Sequence, residues 1–123
     1  MSAEIIDRLR VPEAVSKGLH ERRDAAPQPS DTRQFPRRYL VAPAIVEYRD
    51  GLPAHPRQPQ RHSVIVADLS RSGLRFLHSE QIFPGELAII QIASGKQMHI
   101  EIARCRKIAD CCYEVGARFT AAG

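Results

Sequence analysis

The stretch Gln97-Met98-His99-Ile100-Glu101-Ile102 alternates without exception between polar and apolar side chains. Successive side chains of a β-strand point to opposite faces of the sheet, so Met98, Ile100 and Ile102 are predicted to face a core. This pattern is typical of an antiparallel strand with one buried face, and it sets the expectation for the chain around it.

Five further stretches are rich in residues that favour strands, and turn-forming residues separate them. They are residues 39–48, 62–67, 74–78, 86–92 and 113–119. Six short strands without a helical pattern between them predict an all-β domain, either a small antiparallel barrel or a sandwich. A closed six-stranded antiparallel β-barrel is favoured, because closure leaves so short a sheet without exposed edges.

Proline and glycine predict how these strands are connected. Pro84-Gly85 predicts a type II turn, because proline fixes the first central φ and glycine accepts the positive φ at the second position. Ser94-Gly95 predicts a tight hairpin. Pro43 has no N–H group to donate to a ladder, so the first strand is predicted either to lie at an edge or to carry a bulge.

The residues before the predicted barrel show only weak helical spacing, and Pro12 interrupts it. One or two short peripheral helices are expected in residues 2–24, either packed on the domain, in contact with a partner, or frayed. Residues 25–32 contain two prolines and no periodicity, which predicts an extended linker. The chain is therefore divided into an N-terminal helical segment with its linker, residues 1–30, and a barrel domain, residues 31–120. The apolar positions with helical spacing are Ile5, Ile6, Leu9, Val15 and Leu19.

Composition restricts the class of protein. With 123 residues, 43% hydrophobic and 26% charged, the chain is typical of a soluble globular protein with one modest core. The formal net charge of +4 favours acidic partners, and five arginines against two aspartates lie between Arg22 and Arg38. No apolar run has the length of a signal peptide or a membrane span, so no membrane insertion is predicted and a cytoplasmic location is expected.

The three cysteines, Cys105, Cys111 and Cys112, are odd in number and lack C-x-x-C spacing. No disulfide framework is predicted, and apolar packing is their expected role. The histidines form no i, i+4 pair, and neither a metal site nor a cofactor is predicted. Because no nucleophile, base and orienting group can be assembled from the motifs, the chain is not predicted to be an enzyme.

The loop Asp68-Leu69-Ser70-Arg71-Ser72-Gly73 concentrates polar side chains between two predicted strands. If the strand stays extended, Asp68 and Ser70 project from the same face and converge on one ligand. Gly73 supplies either a positive φ or a place where another group approaches the backbone closely. The same residue types build ordinary hairpin turns, so a purely structural role for the loop stays open.

An arginine-rich arm, Arg33-Gln34-Phe35-Pro36-Arg37-Arg38, lies upstream of this loop. Pro36 keeps Phe35 extended, so Arg33 and Arg37 are predicted to project from an open segment and not from a helix. A guanidinium binds a phosphate with two parallel hydrogen bonds, stacks on a base, or pairs with guanine O6 and N7. The Asp68 carboxylate is an acceptor suited to guanine N1–H and N2–H. Arm and loop together predict a site for a guanine nucleotide with accessible phosphates.

This combination resembles the PilZ domain, the bacterial receptor domain for cyclic diguanylate (cyclic di-GMP, c-di-GMP). The resemblance rests on Arg33-x-x-x-Arg37, then Asp68-x-Ser70-x-x-Gly73, then the strand Val115-Gly116-Ala117-Arg118-Phe119, and it covers roughly residues 31–120. It implies a six-stranded PilZ-like β-barrel whose outer surface binds the nucleotide. It also implies that Arg33, Arg37, Asp68, Ser70 and Gly73 hold the ligand, and we add the neighbouring Arg38 and Arg71 as assisting residues.

The function that the resemblance implies is a receptor or adaptor in signal transduction. The arm would fold over the nucleotide and change what residues 1–30 contact on an unidentified protein partner. The outputs expected for such a receptor are motility, biofilm formation or exopolysaccharide production. Thr32 stands where many family members have a further arginine, so the number of nucleotides bound, one or a stacked pair, stays open.

Two other functions are kept as alternatives. A degenerate PilZ-like module would use the barrel for protein contacts without a ligand, although both motifs are intact here. A basic β-barrel would bind nucleic acid through residues 22–38 and the stretch Arg104-Cys105-Arg106-Lys107. The low aromatic content, three Tyr, four Phe and no Trp, disfavours stacking on single-stranded nucleic acid.

Overall fold

The architecture is taken from a computed structural model that describes residues 5–24, 38–50 and 60–121. A short strand and one helix precede six longer strands. In chain order the elements are β1 (Ile5–Ile6), α1 (Glu13–Asp24), β2 (Arg38–Asp50), β3 (Arg61–Leu69), β4 (Gly73–His78), β5 (Leu87–Ile92), β6 (Gln97–Ala109) and β7 (Cys112–Phe119).

Strands β2 to β7 form a closed antiparallel barrel. Hydrogen-bonded neighbours follow the order β3, β2, β5, β6, β7, β4, and the pairing of β3 with β4 closes the ring. The predicted all-β fold, a six-stranded antiparallel barrel with a short helical N-terminal arm, is therefore confirmed. All six predicted strands are present, and their boundaries differ by a few residues except in β6.

The barrel interior is filled by alternate side chains of these strands. Phe76, Ile90, Ile102 and Val115 are completely buried within one core cluster. Burying each such aliphatic or aromatic side chain stabilises the fold by about 1.5–3 kcal/mol relative to leaving it in water. Ile100 and Ile102 lie in this core and Met98 packs against it, as the alternating stretch predicts.

Strand β6 continues to Ala109, whereas the sequence predicts its end at Ile102. Arg104, Arg106 and Lys107 in its second half are charged and exposed, and of residues 103–109 only Cys105 packs against the barrel core. The alternation also breaks, because Ile102 pairs with Ala117 while Arg104 pairs with Gly116. Ala103 is thus an extra residue that forms a β-bulge, which a strict two-residue period does not anticipate.

Pro43 lies in a bulged strand that has neighbours on both sides. The register of β2 against β3 shifts between Tyr39 and Ala42, and pairing of β2 with β5 begins only at Ala44. Pro43 therefore precedes the two-sided part of the strand. Of the two predicted alternatives, the bulge is confirmed and the edge position is wrong.

Two glycines have the positive φ that their turns require. Gly85 has a φ of 94° and Gly95 a φ of 91°. Cys111, at the tip of the β6–β7 hairpin, has a φ of 56°. The predicted turns at Pro84-Gly85 and Ser94-Gly95 are in place.

The N-terminal segment differs from the prediction. Ile5 and Ile6 are not helical but form β1, which pairs in parallel with Arg61 and His62 at the start of β3. Helix formation before Pro12 is therefore wrong, since the segment gains backbone partners from the barrel that its sequence spacing does not reveal. The Ser16 N–H donates to the Pro12 carbonyl at 2.9 Å and opens α1. The described part of the chain contains no helix long and apolar enough to cross a membrane.

Helix α1 packs on the outside of the barrel. Leu19 is its buried residue, and it contacts a patch formed by Ala67, Leu77 and Cys112 on β3, β4 and β7. We call these three barrel residues the helix-covered patch. Burial of Cys112 agrees with apolar packing, while Cys111 is exposed.

A buried polar cluster lies elsewhere in the barrel and involves two of the scattered histidines. The His62 and His78 rings have centroids 4.7 Å apart. The Glu80 N–H donates to His78 Nδ1 at 2.9 Å, and His78 Nε2 lies 2.6 Å from the Tyr48 hydroxyl. With Nδ1 accepting, a neutral His78 carries its hydrogen on Nε2 and donates to that hydroxyl.

Candidate functional site

The loop between β3 and β4 is closed by the Ser70 hydroxyl. The Ser70 N–H donates to the Gly73 carbonyl at 2.8 Å. The Gly73 N–H lies 3.3 Å from Ser70 Oγ, which in turn lies 3.2 Å from the Gly73 oxygen. These bonds are those of a serine that stabilises its own turn, so the structural role left open by the sequence is present.

Gly73 is required by a close approach of two strands. A Cβ atom at this position would lie 2.1 Å from the Ala117 carbonyl oxygen and 3.0 Å from the Arg118 Cα. Its φ is not among the positive values of this chain. Of the two predicted reasons for a glycine here, close approach is the one observed, and any side chain would push β4 away from β7.

A bulge in β3 places Asp68 on the outer face of the barrel. Val66 pairs with Phe76 but Asp68 pairs with Arg75, so Ala67 is an extra residue in β3. Val66 points into the core, whereas Ala67 lies in the helix-covered patch. An unbroken two-residue period from Val66 would point Asp68 into the core. The bulge at Ala67 instead turns Asp68 to the outer surface, where it lines the same cleft as Ser70.

The Asp68 carboxylate is buried and ion-paired. Its Oδ2 lies 2.8 Å from Arg75 Nε, and the two side chains are 5% and 13% exposed. The N–H group does not point at this oxygen, so Oδ2 and Nε form an ion pair without an aligned hydrogen bond. Arg75 Nη1 also donates to Glu114 Oε2 at 3.3 Å. Arg75 thus links carboxylates on β3 and β7.

Strand register aligns four residues across the outer face. Asp68 pairs with Arg75, Arg75 pairs with Gly116, and Gly116 pairs with Arg104. We call Asp68, Arg75, Gly116 and Arg104 the outer row. With strands about 4.8 Å apart, it spans about 14 Å across β3, β4, β7 and β6.

A surface cleft of about 230 Å³ lies on this row. Its walls include the whole outer row together with Ser70, Gly73 and Arg118. One end presents the Asp68 carboxylate and the Ser70 hydroxyl, and the other presents arginine side chains. The cleft therefore offers hydrogen-bond acceptors at one end and cationic donors at the other, the combination that suits a ligand with both N–H groups and negative charge.

The structure brings part of the predicted site together. Asp68, Ser70 and Gly73 all line the cleft, whereas Arg71 is exposed and lies outside its walls. Arg33 and Arg37 fall outside the described residues.

The backbone connects the arm to this loop. Arg38 pairs with Leu69, and Tyr39 pairs with Asp68. The backbone of Arg38, the last residue of the arm, therefore lies beside the loop, and Arg37 directly precedes it in the sequence.

The motifs assign no ligand contact to Arg75, Gly116 and Arg104 of the outer row, and Arg104 was considered only in the nucleic-acid alternative. These three residues are aligned with Asp68 only by the register of strands that are distant in sequence, and no local motif identifies them. A weak signal exists for Arg104, because the pair Ala103-Arg104 between Ile102 and Cys105 breaks the alternation of the strand.

Comparison of the chain with protein-family models finds no matching family, and comparison with curated proteins finds no matching relative.

Proposed function

We propose that this protein is a receptor for cyclic di-GMP that acts as a signalling adaptor. The observation that carries the proposal is the cleft itself: Asp68, Ser70 and Gly73 line it, and β2 begins beside it directly after Arg37. The described chain therefore resumes, at Arg38, beside the loop that carries the second motif. This supports the resemblance to PilZ domains on which the choice of nucleotide rests.

Asp68 is suited to bind one guanine. Because Oδ2 contacts Arg75, Oδ1 is the oxygen left to accept from guanine N1–H and N2–H, and no hydrogen bond to it occurs among the described residues. The Ser70 hydroxyl, already used in the turn, would make at most a secondary contact.

The arm would supply the positive charge for the phosphates. Arg33 and Arg37 bind the phosphodiester groups and stack on the bases in this proposal, with Arg38 and Arg71 assisting. Ordering of the arm over the cleft then alters the surface that residues 1–30 present to a protein partner. The regulated output belongs to the class of motility, biofilm formation or exopolysaccharide production.

The test is calorimetric titration with cyclic di-GMP of the wild type, Arg37→Ala and the matched control Arg8→Ala. Arg8 is an exposed arginine of the N-terminal segment. Loss of one bidentate charged contact costs about 1.5–3 kcal/mol, so Arg37→Ala is expected to bind roughly ten- to a hundred-fold more weakly. Arg8→Ala should bind like the wild type. Equal affinity of Arg37→Ala and wild type, or no binding by the wild type, would contradict the proposal.

Titration of the same protein with oligonucleotides tests the nucleic-acid alternative. Arg106 and Lys107 on β6 are exposed, yet each has a carboxylate partner, Glu114 and Asp110 respectively. This internal neutralisation weakens the basic strand as a surface for a polyanion. Oligonucleotide binding with a steep salt dependence, unaffected by cyclic di-GMP, would favour that alternative.

A further inference from the structure

The bulge in β6 turns one arginine onto the cleft. Two consecutive residues, Ala103 and Arg104, are both exposed on the outer face, although neighbours in a regular strand point to opposite faces. The inserted residue is Ala103, since Ile102 pairs with Ala117 and Arg104 with Gly116. Bulges are frequent next to binding sites, where they redirect a side chain. Here the redirected side chain is Arg104.

Gly116 leaves the space that the Arg104 side chain occupies. A Cβ atom on Gly116 would lie 2.8 Å from Arg104 Nε and 3.0 Å from its Cγ. The Arg104 side chain therefore lies across the backbone of β7, in the space that a side chain at position 116 would fill. Any larger residue at position 116 would displace Arg104 from this position on the cleft wall.

Arg104 differs from the other arginines around it in its partners. Arg75 contacts Asp68 and Glu114, Arg106 contacts Glu114, and Arg118 contacts Glu101. Arg104 has no carboxylate partner among the residues that the structure describes. Its charge is therefore available to a ligand without the cost of breaking an existing ion pair.

In the outer row this guanidinium lies over Gly116 on β7, on the far side of Arg75 from Asp68. Asp68 Oδ2 is ion-paired with Arg75 Nε at 2.8 Å, which leaves Oδ1 as the acceptor proposed above for a guanine. A ligand held at Asp68 that extends along the row passes over Arg75 and then meets the Arg104 side chain above Gly116. The row can thus bind the two ends of one extended molecule.

We propose that Arg104 is a ligand-contacting residue and that Gly116 is the positioning residue that seats it. The inference rests on the proposed cyclic di-GMP function, and neither residue is among those to which the motifs assign a ligand contact. With one guanine at Asp68, the Arg104 guanidinium donates to acceptors at the far end of the nucleotide, which are phosphate oxygens or guanine O6 and N7.

The experiment compares cyclic di-GMP affinity in Arg104→Ala, Arg104→Lys and Arg106→Ala. Arg106 is the matched control, an exposed arginine two positions along the same strand that does not line the cleft. Arg104→Ala is expected to bind roughly ten- to a hundred-fold more weakly, the loss typical of a charged bidentate contact. Arg104→Lys should recover part of this loss, because lysine keeps the charge but not the planar fork. Arg106→Ala should stay within about twofold of the wild type.

Gly116→Ala tests whether Gly116 positions the Arg104 side chain. In the wild-type background it is expected to weaken binding by about two- to tenfold, because the added methyl displaces the Arg104 side chain. In an Arg104→Ala background the same substitution should have no further effect. The melting temperatures of the single variants report that the barrel is intact.

The outcomes separate the two proposals. If the wild type binds cyclic di-GMP and Arg104→Ala binds as tightly as Arg106→Ala, the role of Arg104 is overturned while the receptor function stands. If Gly116→Ala weakens binding equally in both backgrounds, Gly116 does not act through Arg104 and the seating role is overturned. If the wild type does not bind the nucleotide, both the receptor function and the role of Arg104 are overturned.

Discussion

The outer surface of β3, β4 and β7 carries two adjoining regions that are buried in different ways. Ala67 belongs to the helix-covered patch and is 3% exposed, while the next residue, Asp68, belongs to the cleft and is 4% exposed. Helix α1 covers the first through Leu19. The second is shielded by the cross-strand ion pair with Arg75.

The difference shows that the outer surface of one small barrel can carry both a packing surface and a candidate binding surface. An apolar patch needs a cover, and here the chain supplies one from its own N-terminal segment. In the cleft, Asp68 Oδ2 is instead paired with Arg75 from the neighbouring strand, and Oδ1 is the acceptor proposed for a ligand. The bulged residue Ala67 therefore belongs to a structural surface, and the next residue, Asp68, belongs to a candidate binding surface.

The largest effect on the free energy of unfolding is expected from a substitution in the helix-covered patch. Leu77→Ala removes a side chain that is 1% exposed beneath α1 and should lower the free energy of unfolding by about 2–5 kcal/mol. Leu87→Ala, at a position that is 39% exposed, makes the same deletion outside both regions and should cost less than about 1 kcal/mol. Urea denaturation measures both. Equal losses would mean that the patch under α1 contributes no more than ordinary surface.

A smaller but clear effect is expected from the cleft. Asp68→Asn keeps the shape of the side chain but leaves Arg75 with Glu114 alone, and it should cost about 1–3 kcal/mol of stability. Asp110→Asn is the control, because that carboxylate is 97% exposed and pairs with Lys107 at the surface. Its cost should stay within about 0.5 kcal/mol. If the two variants melt together, the Asp68–Arg75 pair contributes nothing to the fold and the cleft has only a ligand role.

The smallest effect is a dependence on alkaline pH. Burial, with a further contribution from the Glu114 carboxylate, raises the pKa of the Cys112 thiol. The folded protein then keeps this proton where the unfolded thiol, with a pKa near 8.5, has lost it. Stability should therefore fall as the pH rises above about 8.5, and Cys112→Ala should reduce that slope.

Cys111→Ala is the control for this measurement, because Cys111 is exposed at the hairpin tip. Denaturation curves between pH 7 and about pH 10 should keep the wild-type slope in this variant. In the native wild type, Cys111 should also be alkylated well before Cys112, whose reaction requires α1 to leave the patch. A Cys112→Ala protein with an unchanged alkaline slope would count against this interpretation.

The fold follows largely from local patterns, and its departures have physical causes. Alternation in Gln97–Ile102, together with glycines at two turns, is sufficient for the barrel because strand period and turn chemistry agree. Local sequence patterns give the wrong element where pairing with a distant strand determines the secondary structure. Ile5 and Ile6 have helical spacing but obtain β-partners from β3, and β6 continues past Ile102 although only Cys105 packs inward there.

The site was predictable only in part. Asp68, Ser70 and Gly73 are close in sequence, so their grouping was predictable, although the bulge at Ala67 that turns Asp68 outward was not. Arg75, Gly116 and Arg104 come from three different strands, and their alignment depends on register and on the bulge at Ala103. Strand register cannot be read from a local stretch of sequence, and the bulge has only the weak signal of the Ala103-Arg104 pair.

The pairing of β4 with β7 has a consequence for the newly made chain. Arg75 and Glu114, which meet across these strands, are 39 residues apart in sequence. A chain is synthesised from its N-terminus, so Asp68 and Ser70 emerge long before the strand that completes the wall of the cleft. Until Gly116 and Arg118 have emerged and β7 has docked, a nascent or truncated chain lacks this wall. Nucleotide binding would then report that synthesis has passed the last strand of the barrel.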